Sequence, residues 1–326
     1  MEKLGPTIGE LGESESLKRA TAHFRTGEAV EVGSGDDAAV VRQSEPRFVV
    51  TTDTMVEGRD FRKDFSTGFD LGYKAVASNL ADVVAMGAKP TALVVALITP
   101  SDTQVSWLED FAKGLQAGID ELAPEAAIVG GDLAGGESTV IAVTAHGDLE
   151  GRKPILRSAA KPGDRVCIAG TLGKAAAGLD LLLRADKSLA GAYEELVSVQ
   201  LRPKPPLGLV LQTQSIVAMM DISDSLALDC YRLAKASGVK IDIDSSSLFG
   251  YEAVLELAAQ SIISRGGIAN PRDWVLFGGE DHSFLAVFRE GDIPKGFRQI
   301  GVVSKGAGVF LDGEPLEPRG WDSTGA

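Results

Sequence analysis

From about residue 70 to 86 the pattern is helical: Val76, Leu80, Val83 and, just past the end, Gly87 recur at spacings of four, three and four, the period of a helix with one buried stripe. Gly87 and then Pro90 predict its end. The other face carries Lys74, Ser78 and Asp82 one above another, with Asn79 beside them. Residues 105–122 repeat the period through Val105, Leu108, Ala112, Leu115, Ile119 and Leu122, with Ser101 or Asp102 in place to cap the helix. A modest first helix is expected over residues 14–24. Apolar runs between polar breaks predict a buried strand at 91–98 and further strands at 126–129 and 138–145. Residues 33–53 hold two short apolar runs around a polar turn at 42–46, which predicts a hairpin that brings two carboxylate sites together at one end.

Arg152, Lys153, Pro154, Lys161, Pro162 and Gly163 break the pattern near residues 151–163, and a second alternating series follows. Strands are expected at 165–169, 216–220, 239–243 and 283–288. Helices are expected after Gly173, up to about residue 214, after the Asp221–Ser225 motif to Ser237, and around 252–260. The fold class is α/β (α+β), in two domains of residues 1–150 and 151–326, with the polar motifs at strand ends.

Composition narrows the chemistry. The chain has 326 residues, 44% hydrophobic and 24% charged, and 46 acidic against 32 basic residues give a net charge of −14. That balance argues against a nucleic-acid partner and means that a phosphate ligand would need a cation beside it. Cys167 and Cys230 read as two buried thiols. Three histidines without a nucleophile motif leave a serine or cysteine triad without support. Gly170-Thr171-Leu172-Gly173-Lys174 does not meet the phosphate-loop pattern and reads as a turn into a helix. No apolar leader or membrane-length run is present, so no membrane partner and a cytoplasmic place are expected.

One device recurs: an apolar strand beside small residues and aspartate. It occurs at Asp36-Asp37, Thr51-Thr52-Asp53, Gly130-Gly131-Asp132 and Asp221-Ile222-Ser223-Asp224, with Asp82 added from the helix face. Any one of these taken alone reads sooner as a turn or cap than as a ligand. As a set they suit Mg²⁺, a hard cation that bridges a few carboxylates to substrate phosphates.

These motifs carry a resemblance over nearly the whole chain. Gly35-Asp36-Asp37-Ala38-Ala39, Thr51-Thr52-Asp53-Thr54, the run from Asn79 to Gly87, Gly130-Gly131-Asp132, Arg157-Ser158, Lys161-Pro162-Gly163-Asp164, Asp221-Ile222-Ser223-Asp224 and Gly278-Gly279-Glu280-Asp281 stand in an order that resembles the thiamine-monophosphate kinases. Their superfamily includes aminoimidazole ribonucleotide synthetase. The resemblance implies a PurM-like fold, whose N-terminal domain pairs with that of a second copy into an intersubunit β-barrel, and hence a homodimer. It implies transfer of the ATP γ-phosphoryl group to thiamine monophosphate, with Mg²⁺ as cofactor and ATP as co-substrate. By matching motif, Asp37, Thr51, Thr52, Asp53, Asp82, Asp132, Asp221 and Asp224 would hold metal. Gly131, Asp132, Arg157 and Ser223 would bind ATP, with Asp53, Asp224 and Arg157 in the catalytic role. Asp60, Glu280 and Trp321 would contact the acceptor. Asp60 stands where the family usually has histidine, Ser225 where it usually has glycine, and Ser323-Thr324 where it usually has His-Phe. A Cβ at position 225 is expected to crowd the loop. An aminoimidazole ribonucleotide synthetase-like enzyme and a non-catalytic nucleotide-binding regulator are the alternative readings.

Overall fold

The computed structural model describes residues 5–33, 38–184, 186–291 and 293–322. The chain divides into two compact units, one of residues 1–84 and 88–153, the other of residues 85–87 and 154–326.

The first unit runs α1 (Ile8–Leu11), α2 (Glu13–Thr21), β1 (Val30–Val32), β2 (Val40–Val41), β3 (Phe48–Val56), α3 (Gly68–Ala85), β4 (Lys89–Thr99), α4 (Val105–Leu122), β5 (Ala127–Gly135) and β6 (Val140–Asp148). Its main sheet has the order β3-β6-β4-β5, antiparallel except for the parallel pair β4–β5. The helical periods at 70–86 and 105–122 appear as α3 and α4, and their apolar stripes are buried except at Leu122, which is half-buried. Neither Ser101 nor Asp102 caps α4: its N-cap is Gln104, which makes no side-chain cap bond.

Three strand expectations change. The runs on either side of the 42–46 turn do not form a hairpin with each other. The two residues of β2 pair with β1, and β3 pairs with β6 along its whole length, from Phe48 opposite Asp148 to Val56 opposite Val140. The physical reason is length: β6 offers β3 a full nine-residue ladder, whereas β2 has two residues to offer. The turn is tied to that pairing by Asp148, whose carboxylate accepts the Ser44 amide at 2.6 Å and the Ser44 hydroxyl at 2.8 Å. Second, β4 is not buried on both faces, because Val94, Ala96 and Ile98 point outward. Third, Gly130-Gly131-Asp132 lies inside β5 and not at its end.

The second unit runs β7 (Arg165–Ala169), α5 (Lys174–Leu183), α6 (Lys187–Ala192), α7 (Glu194–Leu201), α8 (Leu207–Leu211), β8 (Ile216–Ile222), α9 (Leu226–Ser237), β9 (Lys240–Ile243), α10 (Ser245–Ala253), α11 (Glu256–Ser264), α12 (Pro271–Phe277), β10 (Ser283–Phe288), β11 (Arg298–Ser304), β12 (Gly308–Leu311) and β13 (Glu314–Pro315). Seven strands form one sheet in the order β13-β12-β9-β11-β7-β10-β8. Helices packed on it bury Ile168, Met220, Leu233, Ile262, Val275 and Ile300 in a single core. The helix expected at 252–260 is two helices, α10 and α11, and α12 was not foreseen, although Asn270 caps it and Pro271 opens it. Cys167 and Cys230 are buried free thiols, as read from the sequence, and burial pushes Cys167 up to about 12.

Candidate functional site

In the first unit the pleat of β3 sorts the Thr-Thr-Asp motif. Thr51 and Asp53 are half-buried on one face, and Thr52 and Thr54 are exposed on the other. On the covered face α3 brings Asp82 to β3, and the Thr51 hydroxyl donates to Asp82 Oδ2 at 3.0 Å. The polar face of α3 is therefore not a solvated one: Lys74, Ser78 and Asn79 are all buried. The Asn79 amide nitrogen donates to the Ala75 carbonyl at 2.9 Å, while its Oδ1 is buried with no partner.

Thr52 is held within the sheet, its hydroxyl donating to the Val143 carbonyl at 2.9 Å. Register carries Asp132 to that same outer face: Thr52 lies opposite Thr144, Thr144 opposite Val94, and two residues along Ala96 lies beside Asp132. Thr51, Asp53 and Asp82 are thus brought together, whereas Thr52 and Asp132 are not with them. Asp37 lies outside the described residues. Gly131 is dictated by packing, since a Cβ there would meet the Val95 carbonyl oxygen at 2.1 Å. Beside it a cavity of about 960 Å³ is walled by Phe24, Val94, Leu108 and Phe111 and bordered by Gly131 and Asp132. Asp60 holds the turn after β3, its Oδ2 accepting the Val56 amide at 2.8 Å.

In the second unit β8 delivers Asp221, buried, with Oδ2 at 3.4 Å from His282 Nδ1. The loop beyond it, Ser223 to Ser225, is bonded on several sides. The Glu280 amide donates to the Ser223 carbonyl at 2.8 Å, and the Trp321 amide to the Asp224 carbonyl at 3.1 Å. Asp229 Oδ2 accepts the amides of Asp224 and Ser225 at 3.1 and 3.2 Å, and Arg232 reaches both Asp229 and Asp224. Burial, with the Asp221 charge adding, pushes Asp229 up to about 6 against the Ser225 amide and Arg232. Ser225 does not crowd the loop: its backbone is extended (φ 172°) and its side chain caps α9, accepting the Leu228 amide at 3.0 Å and donating to the Arg319 carbonyl at 2.8 Å.

The Gly278-Gly279-Glu280-Asp281 stretch is knitted to this loop. A Cβ on Gly279 would lie 2.3 Å from the Ser223 carbonyl oxygen. Glu280 has φ 67°, and Gln200 donates to its Oε2 at 2.6 Å. Asp281 is buried under α5 and accepts the Thr171 hydroxyl at 2.6 Å; burial pushes its carboxyl up. Arg157 is exposed on a 3₁₀ turn, and its carbonyl accepts from Ser237 Oγ at 2.7 Å. Trp321 is 46% exposed. Asp229, Arg232 and Gln200 were not singled out in the sequence. Asp229 had a readable signal, because it interrupts the apolar stripe of Leu226, Cys230 and Leu233 on α9.

Among the described residues no three His, Cys, Asp or Glu side chains gather into a cage for a metal ion. The motif positions instead offer hard oxygen donors in ones and twos. That donor set fits Mg²⁺, which keeps several waters and takes its other ligands from phosphates, and does not fit a metal held by protein alone.

The family described as AIR synthase related protein, N-terminal domain, matches residues 35–149. Thiamine-monophosphate kinase from Mycobacterium tuberculosis is 40% identical over 324 residues, 98% of this chain and 94% of its own. The same enzyme from Corynebacterium glutamicum is 40% identical over 307 residues, 92% and 88% of the two chains. The solved structure of AaThiL complexed with AMPPCP and TMP superposes with a TM-score of 0.76 at 32% identity, over 98% of this chain and 99% of that one. With such identity across almost its whole length, and the same fold, this chain belongs to the thiamine-monophosphate kinase family.

Proposed function

We propose that the chain transfers the γ-phosphoryl group of ATP to thiamine monophosphate, forming thiamine diphosphate and ADP. The substrate pair is the one that AaThiL is complexed with, in analogue form for the donor. The observation in this chain that carries the reading is the hydrogen bond from Glu280 to Ser223. It ties an acceptor-side position to a nucleotide-side position on one support, as transfer between two bound phosphates requires.

The acceptor is a phosphate monoester, ionised near neutrality, so no side chain has to remove a proton from it. The barrier lies in bringing two anions together. Asp53 and Asp82 of the first unit and Asp221 and Asp224 of the second would hold Mg²⁺, which when bound offsets the phosphate charge. Asp132 and Thr52, on the outer face of their sheet, act apart from Asp53 within one chain. Arg157, exposed and unencumbered by burial, supplies a cation to the transferring group. Transfer is direct and in line, with no phosphoenzyme. The apolar cavity beside Gly131 and Asp132 has the size and lining of a nucleoside pocket. Phe48, Val50, Val94 and Ile98 leave the outer face of the first unit's sheet apolar and exposed, which supports pairing with a second copy as a homodimer. No helix among the described residues is long and apolar enough to cross a membrane; a donor such as ATP fits a cytoplasmic place.

Purified protein given ATP, Mg²⁺ and thiamine monophosphate will form thiamine diphosphate and ADP in equal amounts. No thiamine diphosphate from the folded protein would overturn the proposal, and γ-labelled phosphate left covalently on the chain would overturn direct transfer.

A further inference from the structure

The Asp224 carboxylate already has a cation beside it. Arg232 Nη1 donates to Asp224 Oδ2 and, at 2.7 Å, to Asp229 Oδ1. Asp229 is fully buried, and its other oxygen takes the amides of Asp224 and Ser225. One carboxylate therefore fixes both the loop backbone, through two N–H groups, and the guanidinium that fixes the loop's own carboxylate. Arg232 and Asp229 sit three residues apart on α9, so the helix sets their spacing before the loop is considered. The Asp224 backbone is then closed on its far side by the Trp321 amide.

We infer that Asp229 and Arg232 form a clamp that positions Asp224, and that Arg232 shares Asp224 with any divalent cation bound there. The inference rests on the reading of Asp224 as a metal-holding residue. Fixing Oδ2 leaves a short side chain one rotamer, with Oδ1 as the oxygen available to a cation. The guanidinium also puts a positive charge within bonding distance of that cation's ligand. Two consequences follow with opposite signs. The clamp supports turnover, because Asp224 is held where the reaction uses it. It also weakens cation binding, because like charges share one carboxylate. A residue that served folding alone would produce neither effect, and a residue that simply helped to build the metal site would strengthen binding.

Titration of the full chain with Mn²⁺, followed by electron paramagnetic resonance of the free ion, tests the charge directly and needs no turnover. Arg232→Gln is expected to bind Mn²⁺ about three- to tenfold more tightly than the unaltered chain. Its kcat is expected to fall about tenfold, with the KM for thiamine monophosphate unchanged. Arg232→Lys restores the charge on a flexible amine in place of the planar guanidinium whose Nη1 bridges Asp224 and Asp229, so Mn²⁺ affinity returns close to that of the unaltered chain while kcat stays reduced. Mn²⁺ binding in Arg232→Gln that is unchanged or weaker would sink the inference, as would an unchanged kcat. Were the unaltered protein to make no thiamine diphosphate, the kinase reading would fail, and the Mn²⁺ arm would still decide whether Arg232 competes for Asp224.

Discussion

The two units hold their acidic residues by different means. In the first, Thr51 and Asp53 project from a strand and Asp82 from a helix laid across it, and the period of each element does the placing. In the second, Asp224 sits on a loop with no period of its own, and five groups hold that loop: the Asp229 carboxylate, Arg232, the Glu280 amide at Ser223, the Trp321 amide at Asp224 and the Ser225 cap. Regular structure positions a side chain through backbone hydrogen bonds that exist anyway. A loop needs dedicated partners, and those partners become as necessary as the residue they serve.

That contrast breaks most easily at Asp53. If the backbone of β3 carries the strand, Asp53→Asn should lower turnover by on the order of 10²-fold and move the thermal unfolding midpoint less than Gly279→Ala does. A large fall in the midpoint would show that the strand depends on that carboxylate, and the distinction between the units would not stand.

Gly279→Ala is the matching change in the second unit. Its Cβ would meet the Ser223 carbonyl oxygen at 2.3 Å, so the two knitted loops must part. Destabilisation of roughly 1–3 kcal/mol is expected in denaturant unfolding, accompanied by loss of activity, because the same contacts serve both. Loss of activity with full stability would mean that the loop adjusts without straining its support.

The smallest effect concerns a buttressed acid in the first unit, set away from its displayed ones. Burial pushes the Asp148 carboxyl up, but the Glu150 and Ser44 amides, the Ser44 hydroxyl and the Arg152 charge together hold it below its ordinary value. A depressed carboxyl contributes stability that is present above its unfolded pKa and is lost as pH falls through the folded one. The acid limb of the stability curve should therefore be shallower in Asp148→Asn than in the unaltered chain. An unchanged limb in equilibrium unfolding between about pH 5 and pH 2 would remove Asp148 from that role.

How far all this could be read from the residues varies by element. Val76, Leu80 and Val83 announced α3 because helical period is local, and the same period put Asp82 on a definite face. The hairpin failed because pairing is not local: nothing in residues 33–53 says that β3 will find β6 about ninety residues later. Asp221, Ser223, Asp224 and Glu280 were legible as motif residues, and their mutual hydrogen bonding was not. Ser225 looked like a departure, and only its extended backbone showed that a side chain is welcome there.

By itself the sequence determined the α/β class, the helical faces, the acidic motifs and the family, since each of these rests on residue type and short spacing. Tertiary structure alone decided that Thr52 and Asp132 face away from Asp53, that Asp60 holds a turn, and that Asp229 and Arg232 hold Asp224. The reason is that strand register and side-chain contact depend on which distant segments meet, and one residue of register exchanges the two faces of a sheet.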